Sequence, residues 1–171
     1  VWTPFLLARL NSEWSIGVLN LVGIEFMKTD IDLHQLLTAV GDAVVVCDAA
    51  GLITLWNPAA EYMFGHTETE AMGQSLDIII PERLRARHWA GYHQTMATGK
   101  TRYGHDTLRV PAIHKDGRAM SIAFTVGLIY GANHEVSGIA SIIRDETSRF
   151  NDERALRKRL TELEALAGTK I

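Results

Sequence analysis

Cysteine is nearly absent from this chain: Cys47 is the only one in 171 residues. A lone thiol excludes an internal disulfide and a cysteine-rich zinc site. Excess charge is small, with 17 Lys and Arg against 20 Asp and Glu and a formal charge of −3. That balance gives no support for a nucleic-acid surface. No Gly-rich phosphate loop, no HExxH and no nucleophile elbow occur, so catalysis is not expected. What remains is ordinary: 47% apolar and 22% charged residues, as in soluble domains. The length suits one domain with an appendage and leaves no room for a second catalytic domain of ordinary size. It also suffices for a core that needs no metal or disulfide.

The first 26 residues are apolar, but Arg9, Glu13 and Glu25 interrupt them. Their longest uncharged run, Trp14 to Ile24, has 11 residues, against the roughly 20 that a membrane-spanning helix requires. Neither the charged start nor the small-residue cleavage site of a signal peptide is clear there. Met27 opens a segment of different character. Residues 1–26 therefore read either as a leader, tag or over-extended start, or as an amphipathic cap on the body. The expected organisation is this segment, a body over 27–145, and a helix over 146–171.

Within the body, Ile31–Val40 has near-helical apolar spacing. Ala43–Asp48 and Leu52–Trp56 form a hairpin about Ala50-Gly51. Asn57-Pro58 starts a helix that Gly65 closes, Asn as cap and Pro at the first helical position. Thr67 and Glu70 stand at capping-box spacing. Ser75–Ile80 is a short connector. A longer helix is expected over Pro81–Ala97, stopped by Gly99. Strands follow at Tyr103–Ile113, Ala119–Tyr130 and Val136–Arg144, with turns at Lys115-Asp116-Gly117 and Gly131-Ala132-Asn133. Glu146–Leu166 reads as a polar trailing helix. Strands in one antiparallel sheet, with helices gathered on one side, make an α+β layout.

Five features in this order resemble a PAS domain: GDAVVVCDAAGLITLWNPAAEYMFG (Gly41–Gly65), Gly73-Gln74-Ser75, Ile80-Pro81-Glu82, the His114-Lys115-Asp116-Gly117-Arg118 turn, and the Gly138–Asp145 strand running into Arg-Asp-Glu-Thr. The resemblance runs from Ile31 to about Thr147, two-thirds of the chain. It implies a five-stranded antiparallel sheet with helices packed on one face, followed by a C-terminal signalling helix. It implies a sensory module rather than an enzyme. Such domains hold a small ligand between sheet and helices, dimerise, or do both.

The resemblance also frames the pocket. Light-sensing relatives bond flavin through a cysteine on the short helix after the middle loop, and Gly73–Ile80 has none here. Cys47 lies in the first strand and reads as a core residue. Non-covalent flavin stays open. The stretch Pro81–Tyr92 resembles the helix of oxygen-sensing heme PAS domains, whose axial histidine corresponds to His88. On a helix, Leu84, His88, Gly91, Tyr92 and Thr95 share one face, and Gly91 would leave room for a flat macrocycle. On the following strand, Asp106 and Leu108 replace the Met and Arg of heme relatives. His105 is a candidate second ligand; Arg102 and Arg109 are candidates to meet propionates. Heme, another small ligand and an empty structural pocket all remain open. The other histidines, His34, His66, His93, His114 and His134, have no second ligand at metal spacing and read as solvated or turn residues.

Eight basic and three acidic side chains lie between 81 and 118, which reads as a solvated face. In the trailing helix, Leu156, Leu160, Leu163 and Ala167 are spaced 4, 3 and 4, a short coiled-coil seam. Glu153/Arg157 and Lys158/Glu162 are expected helix pairs. Seam and resemblance together imply a cytoplasmic sensor that dimerises. It would signal to a separate protein, or to the rest of a longer chain. The alternative is a dimerisation module without a ligand.

Overall fold

The computed structural model describes residues 32–101 and 106–168; the expectations for residues 1–26, Arg102 and His105 lie outside them. The elements are α1 (Leu33–Ala39), β1 (Ala43–Asp48), β2 (Ile53–Trp56), α2 (Pro58–Phe64), α3 (Glu68–Ala71), a 3-10 turn (Leu76–Ile78), α4 (Glu82–Thr98), β3 (Leu108–Ile113), β4 (Ala119–Tyr130), β5 (Val136–Asp145) and α5 (Thr147–Gly168). The five strands form one sheet in the order β2-β1-β5-β4-β3, antiparallel throughout. The opening and closing strands therefore lie side by side. Ala43 is opposite Ile143, and the pairing continues to Asp48 opposite Gly138.

Period-2 alternation sorts the strand residues. Ala43, Val45 and Cys47 of β1 are buried, and Val44, Val46 and Asp48 are not. The buried set meets Ile53, Trp56, Met120, Ile122 and Ile143 from the neighbouring strands, and Ala60, Phe64, Ala71, Ile79 and Tyr92 from the helical side, in a single core cluster. Trp56 and Phe64 meet there with ring centroids 5.4 Å apart. One bulge, between Val46 and Cys47, interrupts the β1–β2 register.

Local chemistry explains the helix ends. Asn57 is the buried cap of α2. Its Oδ1 accepts from Ala60 N at 3.0 Å and from Val44 N at 2.8 Å. Its Nδ2 donates to the carbonyls of Leu37 and Asp42 at 3.2 and 3.1 Å. One side chain thus caps a helix and ties it to β1 and α1. Gly65 closes α2 at φ 79°, a left-handed conformation that glycine takes without strain. The Thr67/Glu70 capping box is present at α3.

The base of α5 is fastened to the sheet. Glu146 N donates to Ser121 O at 2.8 Å, and Ser121 N donates to Thr147 Oγ1 at 3.0 Å. Beyond this base, residues 151–166 are all exposed. The helix pairs differ in part from the sequence expectation. Lys158 meets Glu162 at 3.9 Å as expected, but Glu153 pairs with Arg149 at 3.8 Å in place of Arg157. Arg149 already lies near Glu146, at 3.2 Å, and so is held where Glu153 can reach it. Among the described residues, no helix is long and apolar enough to cross a membrane.

Candidate functional site

The longest helix of the body, α4, follows Pro81 and runs for 17 residues without a side-chain cap at its N-terminus. Arg85 instead reaches back to the preceding connector, donating from Nε to Ile80 O at 3.2 Å and from Nη2 to Asp77 O at 3.1 Å. Gly99, left-handed at φ 63°, ends the helix. Its inward side carries buried Tyr92 and half-buried Leu84, Arg85, His88, Trp89, Thr95 and Met96, while Arg83, Arg87, Ala90 and Gln94 are exposed.

Two aromatic side chains fix this helix against the β1–β2 hairpin. The Tyr92 hydroxyl donates to Asp48 O, and burial raises its pKa above the ordinary phenol value. The Trp89 indole donates from Nε1 to Asp77 Oδ1 at 2.8 Å. The same ring lies over the hairpin turn, where a Cβ on Gly51 would come within 2.2 Å of it. Gly51 also has φ +82°, so both conformation and contact require glycine there. Sequence reading did not single out Trp89. Its signal was an aromatic three residues before Tyr92, on the face next to His88.

His88 lies among these groups. Its ring centroid is 4.8 Å from Trp89, edge to face, and 5.9 Å from Tyr92. Its Nδ1 is buried and has no hydrogen-bond partner among the described residues. A buried polar atom without a partner costs roughly 1–3 kcal/mol, so its persistence calls for an explanation. Burial pushes the pKa of this imidazole below the ordinary histidine value, partly offset by the Asp77 carboxylate, with His93 adding to the depression. The ring is therefore neutral near neutral pH and keeps a free lone pair, the form that binds metals.

The structure brings together Leu84, His88 and Tyr92 of the expected site, all on the inward side of α4. Gly91 departs from expectation. It directly precedes Tyr92 and is turned about 100° from it around the helix; it is exposed, and an added Cβ would meet nothing within 4 Å. It therefore makes no room beneath the helix. Arg109 departs too. Leu108, Val110 and Ala112 take the inward positions of β3, so Arg109 falls on the opposite face. There its Nε meets Glu146 at 2.9 Å, which places it at the base of α5 rather than beneath α4.

Cys47 is buried, and its thiol is pushed up to about 12 by burial and by Asp48, as suits a core residue rather than a reactive thiolate. His114 is a turn residue as expected, with its ring against Gly65 and its Nδ1 accepting from Asp116 N at 3.1 Å. His66 is not simply solvated, since its Nε2 is buried without a partner. Among the described residues, no three His, Cys, Asp or Glu side chains group as metal ligands. The site offers one imidazole. A single donor fits a metal that brings its other ligands with it, and not a cage made by the protein alone.

Comparison with known proteins agrees with this architecture. A family model described as the PAS fold matches residues 31–145. An uncharacterised protein of Azorhizobium caulinodans is 31% identical over 146 residues, covering 83% of this chain and 19% of its own length. Sensor protein FixL of Bradyrhizobium diazoefficiens is 45% identical over 56 residues, 33% of this chain and 11% of that protein. The chain thus spans about a fifth or less of these relatives. Among solved structures, a PAS domain from Colwellia psychrerythraea superposes with a TM-score of 0.59 at 27% identity, covering 67% of this chain and 93% of that one. Matched over most of its body and built on the sheet order described above, the chain belongs to the PAS family.

Proposed function

We propose that this PAS domain senses a small ligand or gas through α4, that heme is the group its site fits, and that α5 carries the response to a partner. The observation that carries this reading is His88, a neutral imidazole on the inward side of α4 with a buried, unpartnered nitrogen. The stretch Pro81–Tyr92, similar to the helix of heme PAS domains, supports it, as does the likeness to a protein named as a sensor. In this proposal His88 would bind the iron, and Leu84 and Tyr92 would line the group. Arg102 and His105 stay assigned to it on the sequence alone. When bound, heme would supply an iron that can take up a diatomic gas.

The rest is the work of the chain. Arg85, Trp89 and Tyr92 tie α4 to the connector and to the β1–β2 hairpin. β1 pairs along its whole length with β5, which runs directly into α5. A displacement of α4 therefore has a continuous packed route to α5. A ligand shifts that route only if it binds two arrangements unequally. The second reading, a dimerisation module without a ligand, draws on a different observation: the exposed leucines of α5 favour a partner whatever the pocket holds.

Adding hemin to the purified chain tests the heme reading. The expected result is a Soret band that is absent from His88→Ala, with the far-ultraviolet circular dichroism of the two proteins unchanged. A protein that stays colourless with hemin, or a band that survives His88→Ala, overturns it.

A further inference from the structure

We infer that His66 is a proton-operated latch, and that proton uptake by its ring frees the β3–β4 turn from the helical side of the body. This goes beyond the ligand reading above and does not depend on it. His66 is the one residue between the left-handed Gly65 that closes α2 and the Thr67 that caps α3. Its carbonyl accepts from Trp56 Nε1 at 3.0 Å. The backbone is thus held on both sides and from β2. The ring Nε2 is buried with no hydrogen-bond partner among the described residues. A protonated imidazole carries a donor on both nitrogens, so charging the ring would leave a donor unpaired at that buried atom.

The groups around the ring set which way it responds. Burial is the largest influence and opposes the charge. The Lys115 ammonium and the His114 imidazole, both of the β3–β4 turn, oppose it too. The Glu70 carboxylate of α3 favours it, as does the Ile78 carbonyl of the connector, but Glu70 is already held by Lys115 Nζ at 2.6 Å. The balance keeps the ring neutral near neutral pH. The same corner fastens the turn to the body. Lys115 N donates to Phe64 O at 2.9 Å and Ile113 N to Ile79 O at 3.0 Å, and the His114 ring lies against Gly65. Opening this corner gives His66 water and distance from Lys115, so the open form takes a proton more readily and acid favours opening. The connector that carries Ile79 also anchors α4, through Arg85 to Asp77 O and Ile80 O. Release of the turn therefore reaches the helix that bears His88.

Two measurements on the full chain test this. The first is amide hydrogen exchange, read as protection factors. A closed corner with a neutral ring and an open one with an ordinary imidazole differ by one proton, so protection of the Lys115 amide is expected to fall about tenfold between about pH 7.5 and 5.5. The fall is expected to vanish in His66→Phe and to persist in His88→Gln. No fall in the unaltered chain, a fall that survives His66→Phe, or one that His88→Gln abolishes overturns the inference. Lys115 protection equal to that of the β1 and β5 amides at every pH marks unfolding of the whole body and overturns it too. The second measurement needs no variant. Proton resonance titration of the His66 ring is expected to give a midpoint below the ordinary value of about 6.5, and a midpoint at or above that value overturns the latch. Neither readout needs a ligand, so a chain that fails to take hemin leaves the result intact.

Discussion

Large aliphatic side chains meet opposite fates in the two parts of this molecule. Ile53 of β2 is 1% exposed, packed between sheet and helices, while Leu163 of α5 is 63% exposed. The body buries one core cluster between sheet and helices, although Leu33, Tyr62, Tyr130 and Ile142 stay exposed. In α5, Leu156, Leu160 and Leu163 lie along one stripe among charges and are mostly exposed. The body has a buried core, and α5 has none of its own.

The largest loss of stability is expected at Asn57. Its side chain joins α1, β1 and α2 through four hydrogen bonds, and replacement by alanine removes all four. Asn57→Ala is expected to cost roughly 3–5 kcal/mol in urea unfolding. A loss below about 1 kcal/mol would mean that the body does not depend on this junction.

Acidity should act on the body at an intermediate level. His88 and His66 both have pKa values below the ordinary histidine value, chiefly through burial. The unfolded chain therefore binds more protons than the folded one once the pH falls below the unfolded value of about 6.5. Stability is fully present above that value and declines below it. Between about pH 7.5 and 5.5 stability is expected to fall, by no more than about 1.36 kcal/mol per pH unit for each proton. The carboxylates held low by partners, such as Asp42 beside Arg144, act only at more acid pH. His88→Gln should flatten the decline, measured as the slope of unfolding free energy against pH. A slope unchanged in that variant would remove His88 as a contributor.

The smallest effect should come from α5. Leu156→Ala in dilute protein is expected to change the unfolding free energy of the body by no more than about 0.5 kcal/mol, because this side chain is 65% exposed. A shift of more than about 1 kcal/mol would show that α5 contributes to the folded body and would erase the contrast between the two parts.

Much of the body was legible because its signals are local. β1 and β4 fall on the expected residues, and Asn57, Gly65, Thr67 with Glu70, and Gly99 mark the helix ends as their chemistry requires. The strand order was legible only through resemblance to a family, since no local signal says that β1 pairs with β5. The site was legible in part. His88 and Tyr92 share a face because helical spacing sets it. Arg109 was placed wrongly because the face of a strand depends on its register, and one residue decides it. Trp89 escaped because its partners, Gly51 and Asp77, come from segments distant in sequence.

One property of the sheet has a wider meaning. Ala43 and Ile143 are opposite each other, so the polypeptide enters and leaves the body at neighbouring points. A domain wired this way can be spliced into a longer protein without parting the pieces on either side.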